Sequence, residues 1–184
     1  MTFDDTQEPP RINKVVQTRR PPPKVGLTRN IAPRARASSA NATPIQYWIA
    51  AVNDGKNPSN PLPPEYWSSY AGENSPQNST LTLTWNATVS LNGTRMILFA
   101  DQPEAENIGV PPPASWSMEY LADDGSWVGI DSTYPTTITE DPAEIEFAQV
   151  DTKSVRALLV ASGINGQFGG VAVKEWEVLA TRAS

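Results

Sequence analysis

The residues of this chain leave carboxylate chemistry possible and exclude the common hydrolase constellations. The sequence holds 20 Asp and Glu but no His and no Cys. That removes Ser-His and Cys-His nucleophile pairs, imidazole and thiolate metal sites, and disulfides. The acids are scattered over turns and predicted strand edges, as solvation requires. No spacing brings two of them together as the acid/base pair of a glycoside hydrolase, so catalysis is not expected. Two stretches have the make-up of loops instead. Asn53-Asp54-Gly55-Lys56-Asn57-Pro58 is oxygen-rich and turn-forming, and Gly163-Ile164-Asn165-Gly166-Gln167-Phe168-Gly169-Gly170 sets one aromatic among glycines.

The elements that must position these loops read as strands. Residues 116–121, 155–160 and 171–178 are apolar runs, the last placing Val171, Val173, Glu175 and Glu177 on one face and Ala172, Lys174, Trp176 and Val178 on the other. Ala122-Asp123-Asp124-Gly125-Ser126 is a turn signature before a new strand at Trp127. Upstream, residues 45–52 are apolar enough for a buried strand, and residues 80–85 alternate cleanly. Residues 89–91 and 95–100 are predicted as a hairpin about the Asn92-Gly93 turn. Residues 143–150 are predicted as an edge strand with Glu144 and Glu146 outward. With 18 Pro and 11 Gly and no stretch at helical spacing, about eight antiparallel strands are expected. They would form an all-β, two-sheet jelly roll. The six Trp residues sit mostly within strand patterns and are expected in the core.

Charge divides the chain in two. Residues 1–43 carry a net +5, from Arg11, Lys14, Arg19, Arg20, Lys24, Arg29, Arg34 and Arg36 against three acids, and residues 44–184 carry −11. The division predicts an extended basic arm over 1–43 and a β-sandwich over 44–184. The arm holds Pro9-Pro10, Pro21-Pro22-Pro23 and Pro33. It cannot bury enough surface to fold alone, and its prolines favour polyproline II geometry. Its arginines (Arg11, Arg19, Arg20, Arg29, Arg34, Arg36) suit an acidic protein surface, including that of a sister subunit. Nucleic acid is not expected, because no aromatic falls between Phe3 and Tyr47 to stack on bases. Residues 1–36 lack the apolar run of an export signal, and no run of about 18 apolar residues offers a membrane span.

The order of these features resembles the galactose-binding-like (discoidin, coagulation factor 5/8 C-type) β-sandwich, particularly versions attached to bacterial glycoside hydrolases. The residues that carry the resemblance are Ala-Val-Asn-Asp-Gly (51–55), Tyr-Trp-Ser-Ser-Tyr (66–70), Leu-Thr-Leu-Thr-Trp (81–85), Ile-Leu-Phe-Ala-Asp (97–101), Val-Pro-Pro-Pro-Ala-Ser-Trp-Ser-Met-Glu-Tyr (110–120), Asp-Gly-Ser-Trp-Val (124–128) and Val-Ala-Val-Lys-Glu-Trp-Glu-Val (171–178). The resemblance covers residues 44–180. It implies a structural calcium ion near the first loop, with Asp54 and Glu175 at the matching ligand positions and loop carbonyls completing the shell. It also implies sugar binding on loops at one end of the sandwich, for which Phe168, Asn165, Asp101 and Glu104 are the candidates. An Arg or His that often contacts the sugar in that family has no counterpart in these loops.

Together these readings give a non-enzymatic structural protein of a virion. A bacteriophage minor tail or tail-tip component is expected, laced into the particle through its arm and displaying a carbohydrate-binding sandwich outside. The composition resembles that of phage tail and head proteins. Its partners would be other virion proteins, in a homo-oligomer or multi-copy assembly, and a host cell-surface glycan. A capsid decoration protein is the near alternative, and a free-standing carbohydrate-binding module the more distant one.

Overall fold

The computed structural model describes residues 28–101, 109–164 and 166–181. Among the described residues there are ten strands: β1 Thr28–Asn30, β2 Arg36–Ser39, β3 Trp67–Ser68, β4 Asn78–Phe99, β5 Ser115–Leu121, β6 Trp127–Gly129, β7 Ile145–Val160, β8 Gly163–Ile164, β9 Gln167–Phe168 and β10 Ala172–Thr181. Two 3₁₀ turns, Ala32–Arg34 and Ile49–Asn53, complete the elements. Every strand pairing is antiparallel, in the order β1-β10-β4-β7-β5-β6, with β2 added to β4, β3 to β10, and β8 paired with β9.

Two long strands build both layers. The first half of β4 lies between β2 and the second half of β7, and β5 and β6 extend that layer. The second half of β4 lies between β10 and the first half of β7. Between the halves the β4–β7 register shifts twice, at Thr84/Val89 and at Leu91/Gly93. Such bulges bend and twist a strand, which lets one strand serve two packed sheets. The expected hairpin at Asn92-Gly93 is therefore absent, and β4 runs straight through it. A two-residue hairpin turn needs positive φ at the glycine, and Gly93 is not among the positive-φ glycines (Gly55, Gly72, Gly125, Gly166). Its smallness has another use: a Cβ there would lie 2.9 Å from Glu144 Oε1. Likewise residues 143–150 and 155–160 are not separate strands, for β7 joins them and reaches β5 only from Val155 onward.

The core between the layers takes Leu81, Leu83 and Trp85 from β4, Trp116 and Met118 from β5, Val155, Ala157 and Leu159 from β7, and Trp176 and Val178 from β10. Burial of a polar indole N–H requires a partner. Each buried Trp has one: Trp67 donates to Thr43 Oγ1, Trp85 to Ile31 O, Trp116 to Pro135 O and Trp176 to Thr94 Oγ1.

Two expectations fail here. Residues 45–52 are not a strand, because the chain instead turns through the 3₁₀ segment Ile49–Asn53, burying Ala51 and Val52 and leaving Ile45 and Trp48 exposed. The 43/44 boundary also does not match the sheet. β1 pairs with the end of β10 (Thr28 with Thr181), and β2 pairs with β4 (Arg36 with Thr84). Arg29, Arg34 and Arg36 thus sit exposed on the sandwich itself, while Arg11, Arg19 and Arg20 lie outside the described residues. Propensity missed these strands because they are three and four residues long and gain their order from a neighbour's edge.

Asn53 is the clamp that holds this early segment. Its Nδ2 donates to Ala32 O at 2.7 Å and to Ala35 O at 3.0 Å. Asn53→Ala removes the side-chain donor from Ala35 O and from Ala32 O, the latter keeping only the Ala35 N–H, and should destabilise the protein by about 1–3 kcal/mol. Amide exchange should rise first at residues 31–35, and unchanged exchange there would refute the clamp.

Candidate functional site

The last strand carries a bulge that decides which groups reach the site. In β10, Val173 pairs with Leu98 and Glu175 with Ile97, leaving Lys174 as an extra residue. Before the bulge Val171 and Val173 face the core, and after it Trp176 and Val178 do. The strict alternation expected from the sequence is thereby broken. Glu175 shares no face with Val171 and Val173, and it turns instead toward the loop after the second 3₁₀ turn.

There, Glu175 Oε2 accepts the Gly55 N–H at 3.1 Å, so the structure brings Glu175 and the Asp54 loop together across 120 residues of sequence. Glu175 is only 2 % exposed, and its Oε1 is buried with no hydrogen-bond partner. Burial pushes its pKa up to about 8, and the nearby charges of Asp54 and Glu177 add to this while the Gly55 N–H opposes it. Lys174 is also 2 % exposed and donates from Nζ to Glu140 Oε2 at 2.7 Å. Asn57 Nδ2 donates to Glu140 O at 2.9 Å, tying the Glu140 loop to the Asp54 loop.

The donor set here is carboxylate and carbonyl oxygen, the kind a hard divalent cation takes. An unpartnered buried carboxylate oxygen beside a second acid fits such an ion. Asp54 has a further role, since its carboxylate accepts the Lys56 N–H at 2.9 Å and lies 3.3 Å from Lys56 Nζ. Among the described residues no group of three or more acids gathers as a ready-made metal cage. Asp54, Glu175 and backbone carbonyls would have to suffice.

Of the expected sugar contacts, Asp101 and Phe168 lie on loops that do meet: Gly170 N donates to Gly109 O, and a Cβ on Gly169 would strike Pro111 at 2.4 Å. Their side chains do other work, however. Asp101 accepts the Val110 N–H at 2.9 Å and closes its own loop, and Phe168 packs half-buried against the core. Asn165 and Glu104 lie outside the described residues.

A more open cleft, of about 500 Å³, is lined by Trp48, Asp54, Lys56, Asn57, Pro58, Pro64 and Glu65. Trp48 and Asp54 flank the two ends of the 3₁₀ turn Ile49–Asn53. The turn is seated on β10 and β2 through Val52, Asn53 and their neighbours. Tyr47 rests 5.4 Å from Tyr66, which rests 4.6 Å from Phe99, so aromatic packing fixes the backbone that presents Trp48. The indole itself is 55 % exposed. Sequence reasoning assigned Trp48 to the core. No local signal in the sequence separates it from the buried tryptophans, because the eight residues between Pro44 and Asn53 are long enough for a strand.

The fold is a galactose-binding-like β-sandwich. No protein-family model matches the chain. Among solved structures it is similar to one from the Streptococcus pneumoniae β-galactosidase BgaA, at TM-score 0.61 and 14 % identity over 84 % of this chain and 100 % of that one. The family 32 module of Clostridium perfringens NanJ, in complex with galactose, gives TM-score 0.60 and 12 % identity, covering 83 % and 99 %. Chitosan-binding module 1 of a Paenibacillus chitosanase/glucanase gives TM-score 0.56 and 16 % identity, covering 82 % and 98 %.

The raised pKa of Glu175 has a fixed sign for stability. In the unfolded chain the group ionises near 4.5, and in the folded chain near 8. Metal-free protein should therefore be unaffected below about pH 4.5, lose stability progressively up to about pH 8, and level off above it. Glu175→Gln should lack this loss and be the more stable form at pH 8.5 by a few kcal/mol, since each tenfold change in proton affinity is worth about 1.4 kcal/mol. Urea titrations at pH 5 and 8.5 in chelator measure it. Parallel curves for the two proteins would refute the assignment.

Proposed function

We propose that this protein is a non-enzymatic glycan-binding module whose sugar stacks on Trp48. The observation that carries this reading is the exposed indole at the mouth of a 500 Å³ cleft that also holds Asp54, Lys56, Asn57 and Glu65. A sugar ring offers an apolar face to an aromatic and hydroxyls to fixed polar groups, and this lining supplies both. Similar structures described with galactose and as chitosan-binding support the ligand class. Isothermal titration with galactose and with chitosan oligomers tests it. Trp48→Ala should weaken binding at least about tenfold, roughly 1.4 kcal/mol, while Phe168→Ala leaves it unchanged. The reverse result would move the site to the Asp101–Phe168 end, and no binding of any glycan would end the reading.

A structural calcium ion at Asp54 and Glu175 belongs to the same proposal. When bound it would supply positive charge to a buried, otherwise uncompensated carboxylate and hold the loop 54–58 that walls the cleft. Calcium at 100 times its Kd should raise stability by about 2.7 kcal/mol, and Glu175→Gln should abolish that gain. Calcium that leaves the melting temperature of the wild-type protein unmoved would exclude the ion.

The finer reading places the module on a virion, as a bacteriophage tail or tail-tip component held by the residues before β1. It is supported by the sequence alone, through the division of charge between basic N-terminal residues and acidic body. Removal of residues 1–27 should free the protein from purified particles while the sandwich stays folded. Absence of the intact protein from particles would dismiss it.

A further inference from the structure

We propose that a second glycan contact lies on the outer face of the sheet, in a groove floored by Leu158 and Val160, and that it takes a single neutral sugar chain. This rests on the reading that the protein binds glycans, and extends it to a part of the sheet that shares no lining residue with the Trp48 cleft. β7 runs between β4 and β5, and its register sets side chains in rows. Thr80, Leu158 and Ser117 form one row, and Asn78, Val160 and Ser115 the next. Alternate residues of a strand face opposite sides. Val155, Ala157 and Leu159 go to the core, so Leu158 and Val160 point outward and stay half-exposed. The six residues of the two rows line a groove of about 520 Å³, a size suited to a small ligand.

The floor of this groove is aliphatic and both walls are polar. The walls stand two strand spacings apart, about 10 Å, and the rows lie about 7 Å apart. Among the described residues no hydrogen bond uses the side chains of Asn78, Thr80, Ser115 or Ser117. Further along the same strands the hydroxyls are already spent: Thr84 Oγ1 and Ser154 Oγ bond each other at 2.9 Å, and Ser154 Oγ also donates to Leu83 O at 3.0 Å. Hydroxyl and amide groups both donate and accept, as sugar hydroxyls do. Leu158 and Val160 offer apolar ground to the C–H face of a ring.

Charge narrows the ligand. None of the six residues is ionisable, although residues 44–184 carry −11. One row beyond Leu158, Arg156 Nε donates to Glu119 Oε2, and the guanidinium lies 4.4 Å from the centre of the Trp127 ring. That cation is met within its own row. An acidic polymer would be repelled by the body with nothing in the groove to offset it, and a cationic one would find no carboxylate there. A neutral chain meets neither obstacle. Nor do the six residues suit a second protein copy, since two are serine and none is aromatic, Met or Arg, the reverse of a protein–protein interface core. Without an aromatic the groove holds sugar weakly, so the test has to read binding residue by residue.

Amide NMR spectra of the isotope-labelled full chain, titrated with cellohexaose, mannohexaose, xylohexaose and galactohexaose to millimolar concentration, supply that reading. At least one sugar should shift the amides of residues 78–80, 115–117 and 158–160 along a saturable curve, in Trp48→Ala as in the unaltered protein, while oligogalacturonate leaves them in place. Thr80→Ala combined with Ser117→Ala should weaken that curve about tenfold with the sugar-free spectrum otherwise preserved. Groove amides that respond to none of the four sugars, or a double variant that binds as before, would overturn the proposal. So would shifts that grow with protein concentration in the absence of sugar, which assign the face to a second copy. A silent groove beside a Trp48 cleft that still binds defeats only this proposal. A responding groove in a protein whose Trp48 cleft takes no sugar upholds it and defeats the Trp48 site instead.

Discussion

One inserted residue, Lys174, sets the terms for the rest of the molecule. Without the bulge, a β10 strand with Val171 and Val173 inward would put Glu175 and Glu177 into the core and Trp176 and Val178 outside. With it, apolar residues face inward on both sides of the irregularity. Two ionisable residues are left pressed against the loops that cover the strand. Burying a carboxylate is unfavourable unless its charge is compensated, and here the Gly55 N–H and the Asn30 side chain offset the cost of burial only in part. Lys174 resolves the same problem by reaching Glu140, whose carboxylate remains wet at 62 % side-chain exposure. Glu175 has no such outlet among the described residues, and burial favours the neutral form of its carboxyl.

The same bulge explains why the loops beside Trp48 lie where they do. Gly55 is drawn onto Glu175, Glu140 onto Lys174, and Asn57 joins the two loops. The cleft beside Trp48 is thus walled by segments attached to the most deeply buried strand, a rigid base of the kind on which functional loops are carried. Asn53 extends that attachment backwards to Ala32 and Ala35, so residues that begin the described chain belong to the same scaffold.

Much of this was legible in the sequence. Period-two patterns located β5, β10 and the first half of β4, because a half-buried strand has to alternate. The pairing of Glu175 with the Asp54 loop was implied by the family resemblance and is what the structure brings together. What escaped was whatever depends on partners distant in sequence. Asn92-Gly93 carries a strong local turn signal, yet β10 on one side and β7 on the other hold it extended. Residues 45–52 have the composition of a strand, but no free edge receives them. The bulge at Lys174 leaves no trace in a pattern of residue types, and with it went the expectation of which face Glu175 occupies.

Trp48 is set apart from the core tryptophans by its exposure. Trp67, Trp85, Trp116 and Trp176 are each no more than 6 % exposed and each hydrogen-bonded through the indole. Removing any of them would open the core. The core closes without Trp48, and holding such a ring in water forgoes about 1.5–3 kcal/mol of burial. One such residue on a surface is unremarked, but here Ile45 and Leu62 are also exposed in nearby segments, and Asp54, Lys56 and Glu65 line the cleft with Trp48. It is this exposure, among neighbouring apolar and charged residues, that sets the Trp48 ring apart from the four indoles whose N–H groups are satisfied inside the fold.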